Sequence, residues 1–208
     1  MGVLVRSDSI AHLTPVGREA MVAYGVTTVI DLRTDAELLR APNPCADNIG
    51  PAYRHLPLID DSMMVGLGEA SGMFERYLWM LDGRPEAFQA IFETVAAADG
   101  GLVFHCFAGK DRTGLVAAML LAIAGVPDHA IAADFAATDA QLALRYQEWI
   151  AAAAPERRGE MREEFRCPPD RILGVLDHLQ QRWGGVHSYM EAAGMTPTTI
   201  DRLTAKLA

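Results

Sequence analysis

The chain has 208 residues, half of them apolar and 22% charged, with a formal net charge of −9 and a pI near 5.1. That size and balance are ordinary for a soluble globular protein and suit one domain spanning residues 1–208. The acidity argues against nucleic acid or an anionic membrane surface as the general partner. No 18-residue apolar run and no charged leader followed by an apolar stretch is present, so neither stable membrane insertion nor a secretion signal is expected. Cys45, Cys106 and Cys167 form no evenly paired framework, which suits a reducing cytoplasm, although a nonstandard export route leaves no trace in such a reading.

In chain order, Thr14-Pro15 opens a helix by cap and first-turn proline, and Gly25 ends it. Val26 to Leu32, rich in Val, Ile and Thr, reads as a buried strand. Asp31 and Arg33 at its end either brace a site beyond the strand or form a strand-end cap with Arg33 bridged to Glu37; the second is the simpler expectation. Residues 41–51, with three prolines, make a surface connection, and residues 52–58 the next strand. Residues 59–70 hold two glycines and two methionines without a steady period, so they read as a mobile flap. Two helices follow, one capped by Ser71 and one opened by Pro85, then a strand at Leu102-Val103-Phe104.

Beyond residue 114 the chain reads as almost wholly helical, with starts at Pro127, at Thr138 as cap, at Pro168-Pro169 and at Thr196-Pro197. Residues 151–169 read as an exposed helix or loop with solvated charges. Strands alternating with helices predict an α/β fold with a mainly parallel central sheet of four to five strands and a helical C-terminal half. In such sheets ligands bind beyond the C-terminal strand ends.

One stretch at such an end carries chemistry: His105-Cys106-Phe107-Ala108-Gly109-Lys110-Asp111-Arg112-Thr113-Gly114. A strand ends at a cysteine and a helix starts just beyond, so the loop between can turn its amides inward as an anion cradle. A thiol attacks only as thiolate, a form favoured by a helix N-terminus, by amide donors and by a nearby cation. Arg112, six residues on, can face the ring centre and grip two phosphate oxygens. The bare spacing is common; its surroundings are what make it specific. A buried structural cysteine leaves Lys110, Asp111 and Arg112 unexplained. A metal site lacks a second Cys or His at ligand spacing, and the remaining histidines form no cluster. A nucleotide-binding loop would need glycine at Phe104 and Ser or Thr at Asp111.

At these residues the chain resembles the cysteine-dependent protein tyrosine phosphatase superfamily. The run Gly109-Lys110-Asp111-Arg112-Thr113-Gly114 is similar to the bacterial and fungal group whose loop carries Gly-Lys-Asp before its arginine, some of whose members also act on phosphoserine, phosphothreonine or phosphoinositides. The likeness extends to Arg6-Ser7, Asp31-Leu32-Arg33 with Glu37, Leu56-Pro57-Leu58 and Asp134-Phe135, where relatives more often have Asp-Tyr. It implies a phosphomonoesterase without metal or cofactor, working on a phosphorylated protein or phosphoinositide, with phosphate or sulfate expected in the loop. Cys106 is then the nucleophile and Arg112 its phosphate clamp. Phe107, Ala108, Gly109, Lys110 and Thr113 hold the substrate phosphate or its environment.

Thr113 is read as a hydroxyl donor to the thiolate, and His105 as a brace for the loop rather than a base. The general acid has two sources: Asp111, rigid in the loop and preferred here, or Asp60 and Asp61 at the root of the flap, whose plainer reading is turn formation. Met63, Met64, Val65 and Leu67 are expected as an apolar lip over the pocket. A noncatalytic phosphate-binding module is the alternative outside enzymes, and sulfur or arsenate handling the alternative within them. Oligomeric state has no signature in the sequence.

Overall fold

The computed structural model describes residues 4–47 and 49–207, except for the side chains of Val65 and Glu69. Four strands form one parallel sheet: β1 (Leu4–Ser7), β2 (Val26–Asp31), β3 (Ala52–His55) and β4 (Gly101–His105), in the order β1-β4-β2-β3. β1 adds a strand that the sequence reading did not contain. Ser7 and Asp31 both pair with His105, and His55 pairs with Asp31. All four strands therefore stop on one line, and the C-terminal edge of the sheet becomes a single platform.

Alternation sorts the strand residues onto two faces. Leu102, Phe104 and Ile30 join the larger apolar core, whereas Val103, Val29 and, across the register shift between Val26 and Thr28, Val26 join a smaller one with Ile10 and Cys45. The smaller core lies under α1 (Pro15–Ala23), which Thr14 caps by accepting the Gly17 amide, as the sequence indicates. β3 is shorter than expected. The Leu56 amide still donates to the Asp31 carbonyl at 2.9 Å, but the next inward-facing amide, Leu58, reaches the Leu32 carbonyl only at 3.4 Å, so the ladder fades there.

The larger core receives α4 (Met73–Gly83), α5 (Pro85–Ala97), α6 (Asp111–Ile123), α7 (Asp128–Ala152), α9 (Pro169–Trp183), α10 (Val186–Ala192) and α11 (Pro197–Leu207). Ile172, Val175, Leu176 and Leu179 bury one face of α9, each contributing about 1.5–3 kcal/mol of transfer energy. Gly184, in the left-handed region at φ 82°, ends that helix.

Several boundaries differ from expectation for local reasons. Thr138 caps nothing: no Gly or Pro occurs between Pro127 and Pro155, so α7 runs unbroken for 25 residues. Ser71 does not cap α4 either; its amide and hydroxyl donate to Glu75 at 2.5 and 2.6 Å. The expected flap contains a short helix, α3 (Met63–Glu69), following α2 (Asp35–Arg40) and β3. Residues 151–169 hold a 3₁₀ turn (Pro155–Arg157) and α8 (Arg158–Phe165). Among the described residues no helix is long and apolar enough to cross a membrane.

Candidate active site

β4 is buried throughout and delivers Cys106 to the platform; α6 begins at Asp111, so Phe107 to Lys110 make the connection. Three carbonyls of this turn are tied to groups outside it. Nδ1 of His105 lies 3.0 Å from the Cys106 oxygen, the Ser9 amide donates to Phe107 at 3.1 Å, and Nη2 of Arg6 donates to Gly109 at 2.9 Å. Every described peptide is trans, and a trans peptide points its C=O and N–H in opposite directions. The amides of Phe107, Ala108 and Lys110 are thereby turned the other way, and all three residues line one cavity. Gly109 sits at φ 67°, and a Cβ there would come within 2.5 Å of the Ser7 carbonyl, so the turn requires glycine. Arg6 is itself anchored on α7 by Asp134 at 2.7 Å and Thr138 at 3.1 Å.

Arg112 enters the same cavity from the first turn of α6. Its Nη1 and Nη2 donate to Glu37 at 2.5 and 2.8 Å, and Nη1 also reaches the Leu32 carbonyl at 3.4 Å. A guanidinium has five N–H donors, so the edge formed by Nε and the second hydrogen of Nη2 has no partner among the described residues. That edge is a fork matched to two oxygens of an oxyanion. Burial opposes the charge of Arg112, but the bonds it donates to Glu37 hold its pKa above the ordinary value. Glu37, expected from the sequence as the partner of Arg33, instead holds Arg112 while completing a capping box with Thr34 at the start of α2.

Cys106 is 2% exposed at the base of a cavity of about 580 Å³. Asp111 borders it, accepting from the hydroxyl of Tyr77 and standing 3.2 Å from Nζ of Lys110. Burial, and then Asp111 itself, push the Tyr77 phenol well above its ordinary pKa, so it stays a donor. Lys110 is buried, and its ammonium donates to the Glu164 carbonyl at 2.5 Å, so in this structure it ties the loop to α8. The hydroxyl of Thr113 is buried without a hydrogen-bond partner among the described residues.

Asp60 and Asp61 lie away from this cavity. Asp60 accepts from the Ser62 hydroxyl at 2.5 Å and the Met63 amide at 3.0 Å, bonds that hold its carboxyl below the ordinary range. Asp61 accepts the Ala36 amide at 3.0 Å, at the start of α2. Met64 and Leu67 border a smaller cavity of about 230 Å³ beside Asp111 and Arg112; the sulfur of Met63 instead accepts from Arg84, and the side chain of Val65 lies outside the described residues.

The expected bridge between Arg33 and Glu37 is not formed. Arg33 folds back two residues as a fork on Asp31, at 2.9 and 2.7 Å, with both side chains fully buried, because Glu37 is engaged by Arg112. Asp31 also takes a bond from Asn43, and its carboxylate stands 3.5 Å from Nε2 of His105, directly before Cys106.

Opposite Cys106 stands a wall that the sequence did not disclose. Phe107 stacks on Trp149 with centroids 5.7 Å apart, and Tyr146 stacks on Phe165 at 4.8 Å. Arg76 of α4 bridges to Glu164 of α8 at 3.0 Å across the rim. Tyr146 and Trp149 sit three residues apart on a helix, the ordinary signature of a packing face, and nothing local distinguishes them.

A family model described as the tyrosine phosphatase family matches residues 1–208. The chain belongs to that family. A tyrosine-protein phosphatase of Nostoc commune is 31% identical over 98% of this chain and 73% of its own length. The triple specificity protein phosphatase PtpB of Mycobacterium tuberculosis is 28% identical over 99% of this chain and 91% of its own. The protein is thus a phosphatase, a hydrolase acting on phosphorylated substrates, and the cavity above Cys106 is its candidate active site.

Proposed function

We propose that the chain is a single phosphatase domain that hydrolyses phosphomonoesters through a phosphocysteine intermediate on Cys106. The observation that carries this reading is that Cys106, Phe107, Ala108, Lys110 and Arg112 line one cavity, with the carbonyls of Cys106, Phe107 and Gly109 bonded elsewhere and one edge of Arg112 unpaired among the described residues. The Cys106 thiolate attacks phosphorus in line; a P–S bond forms as the P–O bond to the leaving group breaks. The amides and Arg112 take the equatorial oxygens, whose charge they stabilise most in the transition state. Asp111 gives its proton to the leaving oxygen, then as carboxylate takes one from the water that cleaves the P–S bond. Tyr77 and Lys110 orient that carboxyl.

The preferred substrate is a phosphotyrosine in a protein, because the wall of Phe107, Trp149 and Phe165 offers stacking surface to an aromatic leaving group. The relatives named for tyrosine and for triple specificity agree with that class. Three free thiols among the described residues suit a reducing cytoplasm. Cys106→Ser should abolish turnover of phenyl phosphate while inorganic phosphate still binds, measured by calorimetry. Activity within tenfold of the unaltered enzyme would refute the mechanism. A kcat/KM panel of phosphotyrosine peptide, phosphothreonine peptide and phosphoinositide should rank the first highest; another order would overturn the substrate assignment alone.

A further inference from the structure

Behind the loop, one contact removed from it, Asn43 is buried in the connection after α2. Its amide orientation is determined at both ends. The Cys45 amide donates to Oδ1 at 2.9 Å, so Nδ2 is the end that meets Asp31 Oδ2 at 2.9 Å and His105 Nε2 at 3.0 Å. Burial raises the Asp31 carboxyl, but Arg33, His105 and Asn43 together bring it down to about 2, so it is ionised and can only accept. The two hydrogens of Nδ2 are thereby used, one on Asp31 and one on His105.

A ring nitrogen that accepts carries no proton, which leaves the proton of a neutral imidazole on Nδ1. Nδ1 lies 3.0 Å from the Cys106 carbonyl, where only a donor fits. The ring is fully buried, and burial lowers its pKa against the pull of Asp31, which favours the neutral form. The groups facing it are Asp31 at the end of β2, Arg33 just beyond that strand, Asp8 beyond β1, the Cys106 backbone after β4 and, through Asp31, Tyr53 of β3.

We propose that Asn43 is a positioning residue for the phosphatase reaction, setting His105 in its Nδ1–H tautomer so that the ring holds the Cys106 carbonyl away from the cavity. The peptide that this carbonyl belongs to ends in the Phe107 N–H, which the same bond keeps aimed at the phosphoryl group. In the other tautomer a bare Nδ1 faces the carbonyl, two lone pairs oppose, and the loop loses one aligned amide. Since such donors act most on the charge developed in the transition state, the loss falls on kcat more than on KM. The inference rests on Cys106 being the nucleophile.

In long-range proton–nitrogen spectra of the ¹⁵N-histidine-labelled enzyme, His105 should show a protonated Nδ1 and a bare Nε2. Asn43→Leu should move the proton to Nε2 and lower kcat for phenyl phosphate by about 10–100-fold, the scale for groups that orient contacting residues. On a His105→Ala background the same substitution should cost little more, because the two residues act in series. A protonated Nε2 in the unaltered enzyme, or an equal loss on both backgrounds, overturns the assignment. The spectrum decides even if Asn43→Leu fails to fold. Turnover by Cys106→Ser would refute the underlying mechanism whatever the tautomer.

Discussion

The two sides of the active site are built differently. The phosphate loop is anchored from β1 by Arg6, from the segment after β1 by Ser9, from α2 by Glu37 and from its own strand by His105. The opposing wall rests mainly on aromatic stacking, with the Arg76–Glu164 pair, one bond from Lys110 and two from Arg158 to carbonyls at the end of α7, and α8 buries none of its residues. Directional bonds fix peptide orientation to within what an in-line reaction needs, whereas stacked rings tolerate sliding. The difference implies that the chemistry sits on the rigid side and that substrate choice sits on the adaptable one.

The largest test of this contrast is Arg112→Lys. A point charge cannot replace a fork, so kcat/KM for phenyl phosphate should fall by about 10³-fold or more, the scale for an arginine on a transferring phosphoryl group. A loss smaller than tenfold would make the arginine structural. Next, Asp111→Asn should slow phenyl phosphate by about 10²–10⁴-fold while sparing a nitrophenyl ester, whose leaving group needs no proton. The basic limb of its kcat/KM profile should flatten as well. Equal slowing of both esters, with the selective loss appearing in Asp60→Asn or Asp61→Asn, would move the acid to the segment before α3.

Glu37→Gln should cost about 10–100-fold in kcat by loosening Arg112. Thr34→Ala, which removes only the helix cap, should lower stability by about 1 kcal/mol with kcat unchanged. Were the two variants to behave alike, Glu37 would serve α2 and not the site. On the adaptable side, Trp149→Ala should raise KM for aromatic phosphates about two- to tenfold, in line with about 0.5–1.5 kcal/mol for an aromatic pair. Its kcat, and its inhibition by inorganic phosphate, should stay as they are; a change in either would join the wall to the chemistry.

The order of residues alone determined the fold class and singled out the passage on which the proposed nucleophile lies. Cys106 and Arg112 are six apart in a strand–loop–helix passage, and that chemistry and periodicity are local properties. The starts of α1 at Thr14-Pro15 and of α9 at Pro168-Pro169 were legible for the same reason, since caps and turn residues act within a few positions. Only the tertiary structure decided the partners. Glu37 meets Arg112 across 75 residues, Arg6 meets Gly109 across 103, and Asn43 meets His105 across 62. Those pairings follow from four strand ends stopping on one line, which no single segment encodes. The aromatic wall was hidden for a related reason: Tyr146 and Trp149 look like any packing face until α8 and the loop leave a cavity beside them.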